Sequence, residues 1–311
     1  GCVDESSCSY YYSDGDSTRI IGGMSTDVLS LNEKEAVAGF VFGCGKSSSV
    51  TADYVKGVDG YFGLGTGPQS FLSKTANRFN KTFSYCLPLD GNSSGFLSLG
   101  GHAVASNSVH FVPFSKTVPL ETAISPSNYV LDLVGISVGA KSLPIGLSAS
   151  KPLPILIDAG TDFSLFPGEI YSVMRDNFRA LMSKYRILSE SPLSNLDTCF
   201  DLSGHANVTV PAIDLSFSNG VDIPLVSRGV LYQVNSTVSC FAFSESRSEY
   251  SVLGIIQQRA FGIIYDNPNN RIGFGKGVCP EERPLDPVAV SAAAPWTLPS
   301  VATMFVFLVL T

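Results

Sequence analysis

The residues whose types and spacing point most directly to chemistry are Asp158-Ala159-Gly160-Thr161. An apolar run, Ile155-Leu156-Ile157, ends there on a carboxylate and a glycine turn, and a second apolar run starts at Phe163. A carboxylate at the end of a buried-type strand has to be hydrogen-bonded or paired, because isolated burial costs several kcal/mol. A carboxylate held in that way can do general acid–base work on a bound water or carbonyl. The plain alternative is a β-turn that uses Asp and Gly for their turn chemistry alone. The flanking elements decide between the two.

Pro167 precedes Gly168–Lys184, where Ile170, Val173, Met174, Phe178, Leu181 and Met182 recur at helical spacing. A shorter helix is expected over Gln69–Asn77. Short β-branched and aromatic runs bounded by Gly, Asn, Ser and Pro read as strands, among them Gly39–Gly43, Tyr129–Val138, Asp214–Phe217 and Ile263–Tyr265. Two apolar-plus-glycine segments, Tyr61-Phe62-Gly63-Leu64-Gly65 and Val252-Leu253-Gly254-Ile255, suggest an internal duplication. Gly254 follows Asp158 by 96 positions (254 − 158). The same interval counted back from Gly63 falls upstream of Gly1, and no Asp-Thr-Gly occurs before Asp158. The chain is therefore read as carrying one of two such loops, as an N-terminally truncated fragment would.

Several further motifs carry a resemblance. They are Phe42-Gly43-Cys44-Gly45, Gly63-Leu64-Gly65-Thr66-Gly67-Pro68, Phe83-Ser84-Tyr85-Cys86-Leu87-Pro88, Leu196–Gly204, Gln257-Gln258 and Tyr265–Phe274. Together with the Asp158 loop and Val252–Ile255, and in this order, they resemble pepsin-like aspartic proteases of the nepenthesin-type plant subfamily. The resemblance covers roughly residues 8–279. It implies a mostly β, bilobal pepsin-like acid-protease fold with few short helices and the first lobe incomplete. Residues 1–112 would be the remainder of the N-terminal lobe, 113–128 the inter-lobe connection, 129–279 the C-terminal catalytic lobe and 280–311 a tail.

The resemblance also implies a mechanism and its residues. Two close carboxylates share a proton; the ionised one activates water and the protonated one hydrogen-bonds the scissile carbonyl. Asp158 would be one of the pair, with Gly160 and Thr161 in support and the Val252–Ile255 segment threading beside the loop. Ala159 departs from the Thr or Ser usual at that position, a loss on the order of 1 kcal/mol from the inter-lobe hydrogen-bond grip. The family's flap hairpin matches the stretch after Cys8. Ungapped counting puts Asp14 where the flap tyrosine belongs, and a small shift gives that role to Tyr12; Gly15, Asp16 and Thr18 would lie over bound peptide. Phe163 and Leu165 would line subsites. Peptide or protein is the implied substrate, with no cofactor, in a monomer. The alternative is a catalytically inactive pepsin-fold binding protein resembling the cereal xylanase inhibitors, which Ala159, the altered flap and the absent first loop favour.

Composition limits the rest. A charged fraction of 15% and a net charge of −7 with no Lys/Arg cluster argue against a nucleic-acid partner. Seven scattered cysteines without Cys-x-x-Cys, and three histidines, argue against a metal site and for disulfides in an oxidising compartment. The family resemblance implies Cys199 with Cys240; Cys86 with Cys279 is the second expected pair, and the odd count leaves Cys44 as the expected orphan. Sequons at Asn80, Asn92, Asn207 and Asn235 point to the secretory pathway, extracellular or vacuolar. After Cys279, a Pro-bearing spacer and the apolar run Val301–Leu310 read either as a C-terminal lipid-anchor signal giving membrane attachment or as a disordered tail.

Overall fold

A computed structural model describes residues 2–4, 7–13, 19–32, 35–49, 60–88, 95–101, 109–116, 124–259, 261–276 and 289–290. The described chain is mostly β, in four sheets. The largest has the strand order Asp222–Pro224, Ile213–Phe217, Val130–Val138, Leu153–Ile157, Ser251–Leu253, Ser164–Pro167 and Phe243–Ser246, with Lys141–Ser142 paired off to Val130–Val138. Its strands alternate as the pleat requires: Leu153, Ile155 and Ile157 are buried while Pro154 and Leu156 are partly exposed. The expected strands all lie within observed ones, Ala36–Ser49, Val130–Val138, Ile213–Phe217 and Phe261–Asp266, apart from Tyr129 at a strand edge.

The helix Gly168–Leu181 packs on this sheet through Ile170, Tyr171, Met174 and Phe178. Phe178 stacks on Phe241 at 4.5 Å. The helix is shorter than the expected Gly168–Lys184, because past the Met182 cap the bonds tighten to three-residue turns, Ser183 N–H to Ala180 O at 3.4 Å and Tyr185 N–H to Met182 O at 2.9 Å. Ile170, Met174, Phe178 and Met182, four residues apart, form the buried stripe, whereas Leu181 lies off it at 52% exposed. The expected short helix is two single turns, Phe71–Lys74 and Ala76–Phe79, interrupted at Thr75; the side chain of Ser70 caps the first.

The sheet that joins the two halves of the sequence has the order Ala289–Val290, Phe96–Leu99, Thr82–Cys86, Phe261–Asp266, Arg271–Lys276 and Val109–Pro113. The antiparallel pair Phe261–Asp266 and Arg271–Lys276 therefore lies between Thr82–Cys86 and Val109–Pro113, so the stretch expected to close the first lobe shares its hydrogen bonds with the end of the second. Under it lies an aromatic stack: Phe83 faces Tyr265 at 4.2 Å and Tyr129 meets Tyr265 edge-on at 4.5 Å. One hydrophobic core runs from Leu64 to Phe274 through both stretches. A four-stranded sheet, Cys2–Asp4, Ser7–Ser13, Arg19–Ser30 and Ala36–Ser49, attaches to this core through Leu29, Val37 and Phe40. The remaining sheet pairs Arg186–Ile187, Cys199–Asp201, Val238–Phe241 and Leu231–Gln233.

Candidate active site

Asp158 is the first residue past Leu153–Ile157, and its position follows from how the next segments fold around it. Ser251–Leu253 runs parallel to Ile155–Ile157 on one side, while Val252 pairs antiparallel with Leu165 on the other. The chain from 155 to 166 thus forms two arms with the Val252–Ile255 segment threaded between them. Only glycine fits at the crossing: a Cβ on Gly254 would lie 2.7 Å from the Phe163 carbonyl carbon and 2.8 Å from the Asp162 oxygen. Backbone bonds seal the crossing, from the Asp158 N–H to Leu253 O at 3.2 Å, Ile255 N–H to Thr161 O at 2.7 Å and Ile256 N–H to Asp162 O at 3.0 Å.

Inside this frame both carboxylate oxygens of Asp158 are engaged. Oδ1 accepts the Gly160 N–H at 2.8 Å and Oδ2 accepts the Thr161 hydroxyl at 2.7 Å. Together the two bonds fix the carboxylate plane. Asp158 is half-buried and Gly160 exposed, so the carboxylate sits at the rim of the core with an open side. Ala159, beside it, is buried in the core and presents a methyl group where the resemblance implies a hydroxyl.

Behind the carboxylate lies a polar layer that motif reading alone does not reveal. Gln258 is 1% exposed and donates through Nε2 to the carbonyls of Asp158 at 3.1 Å and Leu253 at 2.8 Å. Its Oε1 accepts the hydroxyl of Tyr85, a fully buried residue of the shared sheet. The Tyr85 and Tyr265 hydroxyls are 3.5 Å apart. Burial pushes both phenols well above the ordinary tyrosine range, and the negative charge of Asp158 adds to that rise. The signal in the sequence was the pair Gln257-Gln258 directly after the apolar residues Ile255-Ile256, since buried amides must find partners.

The other expected site residues fall as follows. The strands Ser7–Ser13 and Arg19–Ser30 are antiparallel, with Tyr12 opposite Ile20 and Ser13 opposite Arg19. Tyr12 therefore lies on the first of these strands, and Asp14, Gly15, Asp16 and Thr18 lie outside the described residues. Leu165 is half-buried in the central sheet. Phe163 is a correction: it is 8% exposed and meets Tyr232 edge-on at 5.2 Å in a small core with Leu196 and Ile256, so it is packed inside rather than lining an open subsite. Cys199 and Cys240 sit directly opposite on antiparallel strands and form a disulfide. Cys86 is also disulfide-bonded, and its expected partner Cys279 lies outside the described residues. Cys44 is free and exposed. Asn80, Asn207 and Asn235 are exposed, while Asn92 and most of the tail 280–311 lie outside the described residues.

A fold of this kind, with a glycine-threaded loop presenting an oriented aspartate and a sheet shared by both halves, is pepsin-like, and solved structures agree. Basic 7S globulin from soybean superposes with a TM-score of 0.68 over 88% of this chain and 73% of its own, at 19% identity. Conglutin gamma, a basic 7S globulin from lupine seeds, superposes with a TM-score of 0.68 over 89% of this chain and 75% of its own, also at 19% identity. Family models described as xylanase inhibitor N-terminal and xylanase inhibitor C-terminal match residues 1–101 and 128–276. Among curated proteins, an aspartyl protease family protein of Arabidopsis thaliana is 36% identical over 90% of this chain and 57% of its own length. Aspartic proteinase nepenthesin-1 of Nepenthes gracilis is 29% identical over 88% of this chain and 61% of its own. The chain belongs to the pepsin-like plant aspartic protease family. It spans less than two-thirds of the length of these curated relatives.

Proposed function

We propose that this chain supplies the second carboxylate of an aspartic endopeptidase site, with the first contributed from outside these 311 residues. The observation that carries the reading is the pair of hydrogen bonds on Asp158, from the Gly160 amide and the Thr161 hydroxyl, which hold the carboxylate in one plane at the open side of the loop. So placed, ionised Asp158 takes a proton from a bound water that attacks the scissile carbonyl. The protonated partner carboxyl donates to the carbonyl oxygen as charge develops there. Substrate is an extended peptide lying under the Ser7–Ser30 hairpin. The exposed sequon asparagines and the Cys199–Cys240 disulfide support folding in the secretory pathway.

The test is peptide cleavage at acid pH by the intact protein. It should be blocked by a statine-type inhibitor and be absent in Asp158→Asn, with the fold retained. Cleavage that survives the substitution means Asp158 is not catalytic. A second reading, binding of a protein partner without cleavage, is favoured by buried Ala159, which brings no hydroxyl to the loop. It predicts stoichiometric binding with no cleavage at any pH, unchanged by Asp158→Asn.

A further inference from the structure

Gln257 and Gln258 are neighbours, chemically identical and each 1% exposed, yet they hold different things. Gln257 Oε1 accepts the Ser164 N–H at 3.0 Å and the Ser164 hydroxyl at 2.6 Å, and its Nε2 donates to the carbonyls of Gly229 at 2.6 Å and Ala242 at 2.7 Å. The Ser164 oxygen in turn accepts the Gly254 N–H at 2.9 Å. Gln257 thus ties the outgoing arm of the loop to the elements behind it and makes no bond to Asp158.

Gln258 bonds both strand ends that meet at the carboxylate. Its amide bridges the carbonyls of Asp158 and Leu253, and Leu253 O is also the acceptor of the Asp158 N–H. One side chain therefore braces the Asp158 peptide from the carbonyl side and the acceptor of its amide at once. The orientation of Gln258 is not free, because a carboxamide that accepts from Tyr85 through Oε1 must turn Nε2 toward the loop. Tyr85 is fixed in turn by the strand Thr82–Cys86 of the shared sheet and by its contact with Tyr265.

We propose that Gln258 is a positioning residue for Asp158, and that Tyr85 orients Gln258 so that the sheet shared by the two halves of the chain sets the direction of the carboxylate. The proposal deepens the reading of Asp158 as a catalytic carboxylate and rests on it for its functional meaning; its structural core stands without it. Loss of the Gln258 amide removes two donors to the loop while leaving the frame held by Gln257, so the effect is local to Asp158.

Amide hydrogen exchange measured by NMR on the 311-residue chain tests this. Gln258→Met, which keeps length and removes both donors, is expected to lower protection of the Asp158 amide roughly tenfold, the factor one lost hydrogen bond supplies, and that of the Ser164 amide by less than about twofold. Gln257→Met is expected to show the reverse pattern. Equal losses at both amides in both variants would mean the two glutamines only stabilise the fold, and an unchanged Asp158 amide in Gln258→Met would overturn the bracing outright. If Gln258→Met does not fold, Tyr85→Phe decides: it keeps the ring, removes the hydroxyl and is expected to lower Asp158 protection roughly threefold; no change there overturns the proposal. In a form of the protein that cleaves peptides, Gln258→Met is expected to reduce kcat about tenfold with KM within about twofold, as misdirection of a reacting group does. The Asp158→Asn cleavage assay addresses the role of Asp158 and the exchange pattern addresses the brace, so either can fail alone.

Discussion

The two apolar-plus-glycine segments look alike as sequence and end in different structures. Val252-Leu253-Gly254-Ile255 carries the end of an interior strand into a helical turn: the strand has a parallel neighbour in Ile155–Ile157 and an antiparallel neighbour at Leu165, and it stops at a glycine that the Asp162–Phe163 backbone touches. Tyr61-Phe62-Gly63-Leu64-Gly65 takes no strand conformation. It is held by single bonds, from the Phe71 N–H to Gly63 O at 3.0 Å and from the Tyr129 hydroxyl to Leu64 O at 2.8 Å. The stretch from Ile155 to Leu165 wraps the second segment on both sides. The wrapping loop, and with it a carboxylate, is present for the second copy alone among the described residues. The same contrast marks the surfaces: Tyr11, Ile21, Val28 and Phe42 on the first sheet are exposed, whereas the strands around Asp158 bury their apolar faces.

Three substitutions break or sharpen this contrast. Gly254→Ala is expected to have the largest effect, on the order of 3 kcal/mol of lost stability, because the added methyl meets backbone atoms that cannot yield without moving the Asp158 loop; chemical denaturation measures it. A cost under about 1 kcal/mol would mean the crossing is looser than the geometry requires. Tyr129→Phe removes the hydroxyl that holds Leu64 and accepts from Asn267, and is expected to cost about 1–2 kcal/mol. Local exchange should rise at Thr66, whose amide bonds Ser127, with the Asp158 amide unaffected.

The third concerns pH. Burial raises the Asp197 carboxyl, but the hydroxyls of Tyr171 and Thr198 and the Arg175 guanidinium outweigh that and hold it below the ordinary carboxylate range. The folded state then binds fewer protons here than the unfolded chain. The contribution of Asp197 is present above the ordinary carboxylate value and is lost as pH falls through the lowered one. Asp201, lowered chiefly by Ser203, contributes in the same direction. Asp197→Asn is expected to flatten part of the acid limb of a stability–pH curve and to leave the residual slope to Asp201 and other carboxylates. An unchanged acid limb would mean the Asp197 network does not couple to folding.

Much of this was legible in the sequence, for identifiable reasons. Runs of β-branched and aromatic residues with Gly, Asn, Ser and Pro punctuation located the strands, and the family resemblance implied that the Gly254 segment threads beside the Asp158 loop. The support of Asp158 by Thr161 came from the same resemblance. Other features depend on contacts that local pattern does not carry. Tyr85 and Gln258 are separated by 173 positions and meet only through the shared sheet. The interleaving of 82–113 with 261–276 is a property of topology, because each strand alone reads like any other. Phe163 looked like a subsite wall because it follows the catalytic loop, and is core because the Leu196–Ile256 cluster closes over it.

The measurement that bears most directly on the central claim, one carboxylate of two, is acid-pH cleavage of a peptide by the 311-residue chain beside a longer form that includes upstream sequence. The account predicts no cleavage above the uncatalysed rate by the 311 residues alone, and cleavage by the longer form that Asp158→Asn abolishes. Full cleavage by the 311-residue chain would contradict it.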